Sequence, residues 1–167
     1  TNESFQKTAQ TLEKLNHVKP IREMQLRSAR ISDISPLKAL TALTSLDLSS
    51  TQVSDISPLK ALTALTSLGL SGTQVSDISP LKALTALTSL GLSGPQVWDI
   101  SPLKALTALT RLELYYTQVS DISSLDDLPN LRLDLRLPGN VPETEQRRFR
   151  DYRKTRGLPV GYLTIRD

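Results

Sequence analysis

Five aspartates recur along the chain at a constant spacing of 22 residues: Asp33, Asp55, Asp77, Asp99 and Asp121. Stacked carboxylates could bind a hard cation such as Ca²⁺, but a Ca²⁺ site needs about six to eight oxygen ligands, which a single row does not supply. An Asp can also accept backbone N–H bonds inside a tight turn. We therefore predict a structural role in turns and no metal site, with Ca²⁺ binding as the alternative.

Catalytic residue patterns are scarce. His17 is the only histidine, and the absence of Cys excludes disulfides and thiolate metal sites. Nucleophile-elbow, P-loop and His-Glu-x-x-His patterns are missing from the sequence. Gly69 with Gly72, and Gly91 with Gly94, lack the third glycine and the long helix of a phosphate-binding loop. We predict a protein that is not an enzyme and needs no cofactor, with His17 as a solvated residue.

A basic cluster near the end of the sequence could bind nucleic acid. It comprises Arg147, Arg148, Arg150, Arg153, Lys154 and Arg156. Phe149 and Tyr152 lie among them at helical spacing and would pack a helix onto the protein while the Arg side chains stay in water. The net charge of +3 is a weak attraction for a polyanion. We therefore predict a solvated helix, with nucleic-acid binding as the weaker alternative.

The remaining candidates are suited to recognition of a protein partner. They are Trp98, Arg111, Glu113, Tyr115 and Tyr116. Trp, Tyr and Arg dominate interface energetics because they bury large areas and keep a polar group. Trp98 is also the only Trp of the chain. We predict that these five residues bind the partner; the alternative is that Trp98 and Tyr116 only shield the C-terminal edge of the fold.

These candidates lie on a sequence that repeats every 22 residues. The pattern Leu-x-x-Leu-x-Leu-x-x-Thr-x-Val begins at Leu43, Leu65 and Leu109; the unit from Leu87 has Pro95 in place of Thr, and a variant unit begins at Ile21. The chain is 38% hydrophobic but only 4% aromatic, so the core must be aliphatic. One such unit cannot bury its own apolar edge, and neighbouring units must therefore stack.

The repeat resembles the leucine-rich repeat, and its Asp-Ile-x-Pro-Leu segment is most similar to the 22-residue internalin-like bacterial repeats. The resemblance covers about residues 21–137. It implies an α/β fold: a right-handed leucine-rich-repeat solenoid with parallel strands on the concave face, short 3₁₀ or helical turns on the convex face, and caps at both ends. The family usually has Asn at the ninth position of the unit, where this chain has Thr51, Thr73, Thr117, Ala29 and Pro95. We expect a weakened side-chain ladder there.

Local patterns within a unit agree with this architecture. Leu46-Asp47-Leu48 alternates apolar and polar residues, which predicts a strand with one buried face. Asp55 is predicted to accept backbone N–H bonds in the bend, and Ser57 to cap the following turn. Pro58 suits the first position of that turn because its missing N–H would have no partner there.

The chain is predicted to form a single domain over residues 1–167. Its parts are an N-terminal helical cap in 1–20, five repeats in 21–130, and a degenerate repeat, helix and C-terminal cap in 131–167. No apolar run reaches the roughly 18–20 residues that a membrane span needs, so we expect no membrane insertion.

The last part departs from the repeat. Residues 131–137 predict a strand whose spacing implies one inserted residue. Residues 142–156 predict a helix that Gly157 ends, and 162–165 predict one final parallel strand.

Leucine-rich-repeat proteins generally bind other proteins through the concave sheet, so the resemblance implies a non-catalytic recognition scaffold that binds a protein partner on its concave, C-terminal face. One alternative is the targeting domain of a larger bacterial effector or enzyme, of the ubiquitin-ligase or GTPase type. A second alternative is a structural spacer. The resemblance also indicates a bacterial protein, with both a cytoplasmic and an exported location open, and we expect a monomer.

Overall fold

The computed structural model describes residues 7, 11, 14, 19–94, 96–131, 135–139, 141–160 and 163–166. Within these residues, parallel strands form one sheet in the order of the chain. The strands are β1 (Glu23–Gln25), β2 (Ser45–Asp47), β3 (Ser67–Gly69), β4 (Ser89–Gly91), β5 (Arg111–Glu113), β6 (Leu135–Pro138) and β7 (Leu163–Arg166). In β2 the central Leu46 is buried and its two neighbours are partly exposed, which confirms the predicted alternation.

The register between strands is constant through β5. Leu46 pairs with Leu68 and Leu90 pairs with Leu112, each 22 residues apart. The step to β6 is one residue longer, because Leu112 pairs with Leu135. This confirms the predicted insertion. The final strand β7 is also present and parallel to β6, although Tyr162, where it was predicted to begin, lies outside the described residues.

A short 3₁₀ turn follows each of the strands β1–β5. The turns are η1 (Ser35–Ala39), η2 (Ser57–Ala61), η3 (Ser79–Ala83), η4 (Ser101–Ala105) and η5 (Ser123–Leu125). The prediction that Ser57 caps η2 was wrong: Ser57 is the first residue of the turn, Pro58 is the second, and Ile56 precedes them. The carboxylate of Asp55 takes the capping role, since it accepts the Ser57 N–H at 2.8 Å. Ser57 Oγ donates to the second carboxylate oxygen at 3.0 Å.

The ninth-position threonines are buried and satisfied within their own units. Thr51 Oγ1 donates to the Leu48 carbonyl at 2.7 Å, and Thr73 and Thr117 make the equivalent bonds. Backbone bonds connect neighbouring units at this edge, for example from Gln74 N–H to the Val53 carbonyl at 2.9 Å. The threonine side chains therefore form hydrogen bonds within a unit, whereas backbone groups form the hydrogen bonds between units. Pro95 lies outside the described residues.

One aliphatic cluster forms the core. It runs from Ile34 to Leu131 through the leucines, isoleucines and valines of successive units, and Phe149 joins it from the C-terminal helix. The predicted aliphatic core is therefore confirmed. Burial of each such side chain contributes about 1.5–3 kcal/mol before the loss of conformational entropy is subtracted.

The C-terminal helix, α1 (Glu143–Thr155), follows Pro142 and ends two residues before Gly157, which has a φ of 65°. Acidic residues in its first turn and basic residues in its last turn complement the helix dipole. Phe149 is buried against the last repeat, as predicted. The Tyr152 hydroxyl donates to Asp127 at 3.0 Å.

The prediction that the Arg side chains of α1 stay in water was wrong for Arg153, whose exposed fraction is 0%. Its guanidinium donates to the carbonyls of Leu125, Asp126, Leu128, Leu131 and Pro159, at 2.7–3.2 Å. These carbonyls belong to the degenerate last repeat and to the chain after α1. Arg has five N–H donors in a planar fork, which suits it to collect several carbonyls at once.

Arg148 makes a second attachment between α1 and the last repeat. Its Nη1 lies 2.6 Å from an Asp126 carboxylate oxygen, and its Nη2 lies 2.7 Å from Glu145 Oε1. Hydrogen bonds that the guanidinium donates to both carboxylates raise the pKa of Arg148 against the opposing effect of burial. Charged side chains therefore attach a helix that the sequence pattern predicted to be held by aromatic residues.

The predicted N-terminal helical cap lies largely outside the described residues. Lys7, Thr11 and Lys14 are helical, and Thr11 Oγ1 donates to the Lys7 carbonyl at 3.1 Å. Within the described part of the chain, no helix combines the length and apolarity needed to cross a bilayer.

Candidate functional site

The strand face carries a groove of about 630 Å³. Its floor in β3 and β4 consists of small residues, Ser67, Gly69, Ser89 and Gly91. A row of small residues follows from the repetition of Thr-Ser-Leu-Gly-Leu-Ser in both units, in which only the leucines face the core. The middle of the groove therefore offers shape and hydroxyl groups, but little side-chain area.

An ion pair between Arg27 and Asp47 closes the N-terminal end of the groove. Partial burial raises the pKa of Asp47, but hydrogen bonds from Ser49 and the pairing with Arg27 outweigh it and leave the pKa below its ordinary value. The carboxylate also explains the glycine beside it. A Cβ at Gly69 would lie 2.7 Å from Asp47 Oδ1, so any larger residue there would require the carboxylate to shift.

A second ion pair stands at the C-terminal end of the groove. Arg111 Nη2 lies 2.9 Å from Glu113 Oε1, and both residues line the groove. These two candidates are therefore brought together as an adjacent charge pair on one strand. Ion pairs near the surface contribute only about 0.2–1 kcal/mol to stability, so this pair adds little to the stability of the fold.

Tyr115 and Tyr116 follow β5 and lie against each other, with ring centroids 6.4 Å apart and planes tilted by 58°. Tyr115 is half-buried, whereas the exposed fraction of Tyr116 is 68%. Tyr116 has a φ of 56°, in the left-handed region. The eighth position of other units is also left-handed, and small residues occupy it there: Ser28, Ser50 and Gly72.

Trp98 lies in the unit before Tyr116, at the twelfth position, where other units have Ser54, Ser76 and Ser120. Its exposed fraction is 71%. Trp98 and Tyr116 are the only large hydrophobic residues that are exposed within the described ranges. Both lie on one edge of the solenoid, the edge formed by the segments that directly follow the strands. Neither lines the groove.

The five predicted binding residues thus fall into two adjoining places. Arg111 and Glu113 are in the groove, Trp98 and Tyr116 are on the edge, and Tyr115 lies between the two. The predicted set omitted Arg27 and Asp47, which line the opposite end of the groove. A comparison of units could have found them, because each replaces the Ser or Gly that the central units have at the same position.

The row of aspartates has the local function predicted for it. In every unit the carboxylate accepts an N–H at 2.8 Å from the serine two residues later. Hydrogen bonds from Ser79 and Ser123 hold the pKa values of Asp77 and Asp121 below their ordinary value. In the described part of the chain, no group of three or more His, Cys, Asp or Glu side chains is placed to hold a metal ion. His17 lies outside the described residues.

Comparison with known proteins agrees with the repeat architecture. A family model described as Leucine Rich repeats (2 copies) matches residues 21–61 and 63–105, together half of the chain. The chain belongs to the leucine-rich-repeat family. A sequence comparison with curated proteins gives no match.

Solved structures of leucine-rich-repeat proteins share the fold. Internalin C2 of Listeria monocytogenes is 37% identical over 71% of this chain and 53% of its own, with a TM-score of 0.67. Another Listeria monocytogenes internalin, inlF, is 26% identical over 93% of this chain and 52% of its own, with a TM-score of 0.69. A leucine-rich-repeat protein of Leptospira interrogans is 23% identical over 90% of this chain and 38% of its own, with a TM-score of 0.76. This similarity supports the fold alone. The chain spans about half the length of the two internalin structures.

Proposed function

We propose that the chain is a non-catalytic protein-recognition scaffold whose partner binds the C-terminal half of the strand face and the edge beside it. The binding residues are Trp98, Arg111, Glu113, Tyr115 and Tyr116. One observation carries the proposal: both large hydrophobic residues exposed in the described part of the chain replace small residues of the repeat, and both lie in this half. Stacked repeats commonly present extended concave surfaces to their partners.

The backbone at Tyr116 supports the same assignment. A left-handed residue other than Gly costs about 1–2 kcal/mol, and a bulky ring is an uncommon occupant. Gly72 shows that the fold accepts glycine at the equivalent position. Residues with a strained backbone are typical of functional sites. An aromatic contact to a partner would offset the strain.

The groove would supply specificity. Its two ion pairs, Arg27–Asp47 and Arg111–Glu113, stand at opposite ends of a floor of small residues. Charges at the rim of an interface mainly set orientation and the rate of association, while buried aromatic residues contribute most of the affinity. We therefore assign anchoring to Tyr116 and Trp98, support of the Tyr116 ring to Tyr115, and orientation to the charge pairs.

A second candidate function is the targeting domain of a longer protein whose activity lies in another domain. The observation in its favour is that the chain spans about half the length of the internalin structures that it resembles. Binding through the same surface is expected in both cases, so the full-length gene distinguishes the two functions and leaves the binding site unaffected.

Affinity capture tests the proposed surface. The immobilised chain would be incubated with cell extracts, and retained proteins quantified by mass spectrometry for the parent chain and for matched variants. We expect Tyr115→Ala with Tyr116→Ala to abolish capture of a specific partner and Ser49→Ala with Ser71→Ala to leave it unchanged. Capture that survives the Tyr variant, or that is lost only when Arg22 and Arg27 are replaced, would move the site to the N-terminal end.

A further inference from the structure

We propose that the edge between Tyr116 and Trp98 binds a proline-rich segment in the polyproline II conformation, with a basic residue at the end that meets Asp99. The inference rests on the proposed function, because it names the class of partner segment that the same surface accepts. We call the surface the aromatic strip. It consists of Trp98, Gln96, Gln118 and Tyr116.

The strip is continuous across two units of the solenoid. Gln118 N–H donates to the Val97 carbonyl at 2.8 Å, which holds the backbone beside Trp98 against the unit of Tyr116. Gly94 N–H donates to the Tyr115 carbonyl at 3.1 Å, immediately before Tyr116. Gln96 and Gln118 are both exposed and occupy the tenth position of their units, between the eighth position of Tyr116 and the twelfth position of Trp98. The strip therefore has an aromatic ring at each end and carboxamide groups in the middle.

The spacing of the two aromatic residues matches a polyproline II helix. Tyr116 lies four positions before the equivalent of Trp98 in its own unit. At no more than about 3.3 Å per residue and about 4.8 Å between units, the two Cα atoms lie within about 14 Å of each other. A polyproline II helix rises about 3.1 Å per residue with three residues per turn, so residues three or four apart are separated by about 9–12 Å. Two proline rings of one segment can therefore reach both aromatic residues.

The chemistry of the strip also fits this ligand. Polyproline II makes no internal hydrogen bonds, so its carbonyls need outside donors. Exposed carboxamide N–H groups, a Trp indole N–H and a Tyr hydroxyl are such donors. Proline-rich segments dock on aromatic-lined surfaces with a small loss of conformational entropy because the helix is already formed.

Charge gives the docked segment a direction. None of the four strip residues is charged at neutral pH, whereas Asp99 follows Trp98 directly and is exposed. Asp99 accepts hydrogen bonds from Ser101 N–H and Oγ at 2.8 and 3.2 Å, which fix its carboxylate one residue after Trp98. An Arg or Lys at the Trp98 end of the ligand would therefore gain an attractive contact.

The strip occurs once in the described repeats, which predicts one ligand per chain. At the two aromatic positions other units have serine or glycine, for example Ser76 at the twelfth position and Gly72 at the eighth. The residues of other units at these two positions also provide matched variants. Trp98→Ser and Tyr116→Gly each restore a residue that a neighbouring unit already accommodates, so both variants are expected to fold.

Peptide titration is the direct test. The probes are Arg-(Pro-Pro-Ala)₃ and (Pro-Pro-Ala)₃-Arg, with Arg-(Gly-Ser-Ala)₃ as a flexible control of the same length. Because Trp98 is the only Trp of the chain, its emission reports on the strip alone. We expect a saturable blue shift with one of the two proline-rich peptides and none with the control.

Calorimetry then assigns the contacts. Trp98→Ser and Tyr116→Gly should each weaken binding about thirtyfold or more, as hot-spot substitutions do. Asp99→Asn keeps the acceptor for Ser101 and should weaken binding about threefold, with the difference disappearing at high salt. Gln74→Ala, outside the strip, should leave binding unchanged.

Other results of these titrations would overturn the inference or separate it from the proposed function. Equal binding of the Gly-Ser-Ala peptide, or no binding of either proline-rich peptide, would overturn the inference. A shift of Trp98 emission by cellohexaose but not by the peptides would assign the strip to a carbohydrate. If the peptides fail while Tyr115→Ala with Tyr116→Ala still abolishes partner capture, only this inference falls. If the peptides bind while partner capture survives the Tyr variant, the inference holds and the proposed function loses its site.

Discussion

The central units and the C-terminal end of the solenoid are stabilised in different ways. From β2 to β4 the same leucines, threonines and Asp-Ser turns recur, and each unit contacts its neighbours in a constant register. After β5 the repeat decays: η5 has only three residues, and Arg148 and Arg153 attach the helix α1. Repeated apolar packing thus stabilises the middle, whereas the end is attached by one apolar side chain, Phe149, and by individual charged side chains. Substitutions should have distributed effects in the first region and local effects in the second.

The largest expected effects come from removing one buried side chain in each region. Phe149→Ala should cost about 3–5 kcal/mol, and Leu81→Ala in η3 about 2–5 kcal/mol, because both side chains are fully enclosed. The two costs in free energy are similar, but the length of chain that loses protection from amide exchange should differ. Amide hydrogen exchange should show lost protection confined to α1 and the last repeat for Phe149→Ala, and spread over several units for Leu81→Ala. Equal patterns in the two variants would remove the distinction between the regions.

The next effect concerns Arg153, which has no equivalent in the central units. Arg153→Met keeps an unbranched side chain but leaves buried carbonyls without donors, and should lower the free energy of unfolding by about 3 kcal/mol. Chemical denaturation measures this loss. Arg156→Met is the control, because the Arg156 side chain is exposed and surface substitutions usually stay within about 0.5 kcal/mol. No difference between the two variants would show that water replaces the guanidinium.

Acid should weaken the C-terminal end through Glu145. Hydrogen bonds from Arg148 hold the pKa of Glu145 below its ordinary value of 4.5, against partial burial, which raises it. A carboxyl group whose pKa is depressed by folding stabilises the fold above its unfolded pKa, and this stabilisation is lost as the pH falls through the folded pKa. With screening at the partly exposed Arg148, the loss should be about 1 kcal/mol.

Urea denaturation between pH 7 and pH 3 tests the role of Glu145. The parent chain should be more stable than Glu145→Gln at pH 7, and the difference should shrink below about pH 4.5, the ordinary pKa. A difference that stays constant over this range would assign the effect to packing of the side chain and not to its charge.

The smallest effect is a gain in stability at the aromatic edge. Tyr116→Gly removes the cost of a left-handed residue other than glycine, about 1–2 kcal/mol, but it also increases the conformational entropy of the unfolded chain. The net gain in the free energy of unfolding should be about 0.5 kcal/mol. The reverse change in the middle, Gly72→Tyr, should destabilise the protein by a similar or larger amount. Melting temperatures of the two variants should therefore move in opposite directions. A lower melting temperature for Tyr116→Gly would show that the ring stabilises the fold.

Sequence reasoning predicted the features that depend on local, repeated patterns. The period predicted the strands, the 3₁₀ turns and the register, and the spacing to Asn140 predicted one inserted residue, which the structure places before Leu135. These predictions succeed because each unit has only one way to bury its leucines, and every copy repeats the same information.

Features that depend on a single tertiary contact escaped prediction. An Arg on a helix rich in Arg resembles any solvated residue, and the burial of Arg153 depends on carbonyls in and after the shortened η5 that accept its N–H groups. The cap of η2 was assigned to the wrong one of two local candidates: Asp55 accepts the Ser57 N–H, as predicted, and this bond makes Asp55 and not Ser57 the capping residue. At the candidate site, the residue types of Trp98 and Tyr116 were visible in the sequence. The left-handed backbone of Tyr116 and the division between groove and edge were not.

The constant register of the central strands also makes the distance between the two ion pairs of the groove adjustable. Arg27–Asp47 and Arg111–Glu113 are separated by units whose ends match one another, so duplication of one unit would insert a strand without altering either pair. Each added unit would move the two pairs apart by about 4.8 Å, the separation of neighbouring strands. Copy number would then set the length of partner that the groove can span, while the residues that contact its ends stay the same.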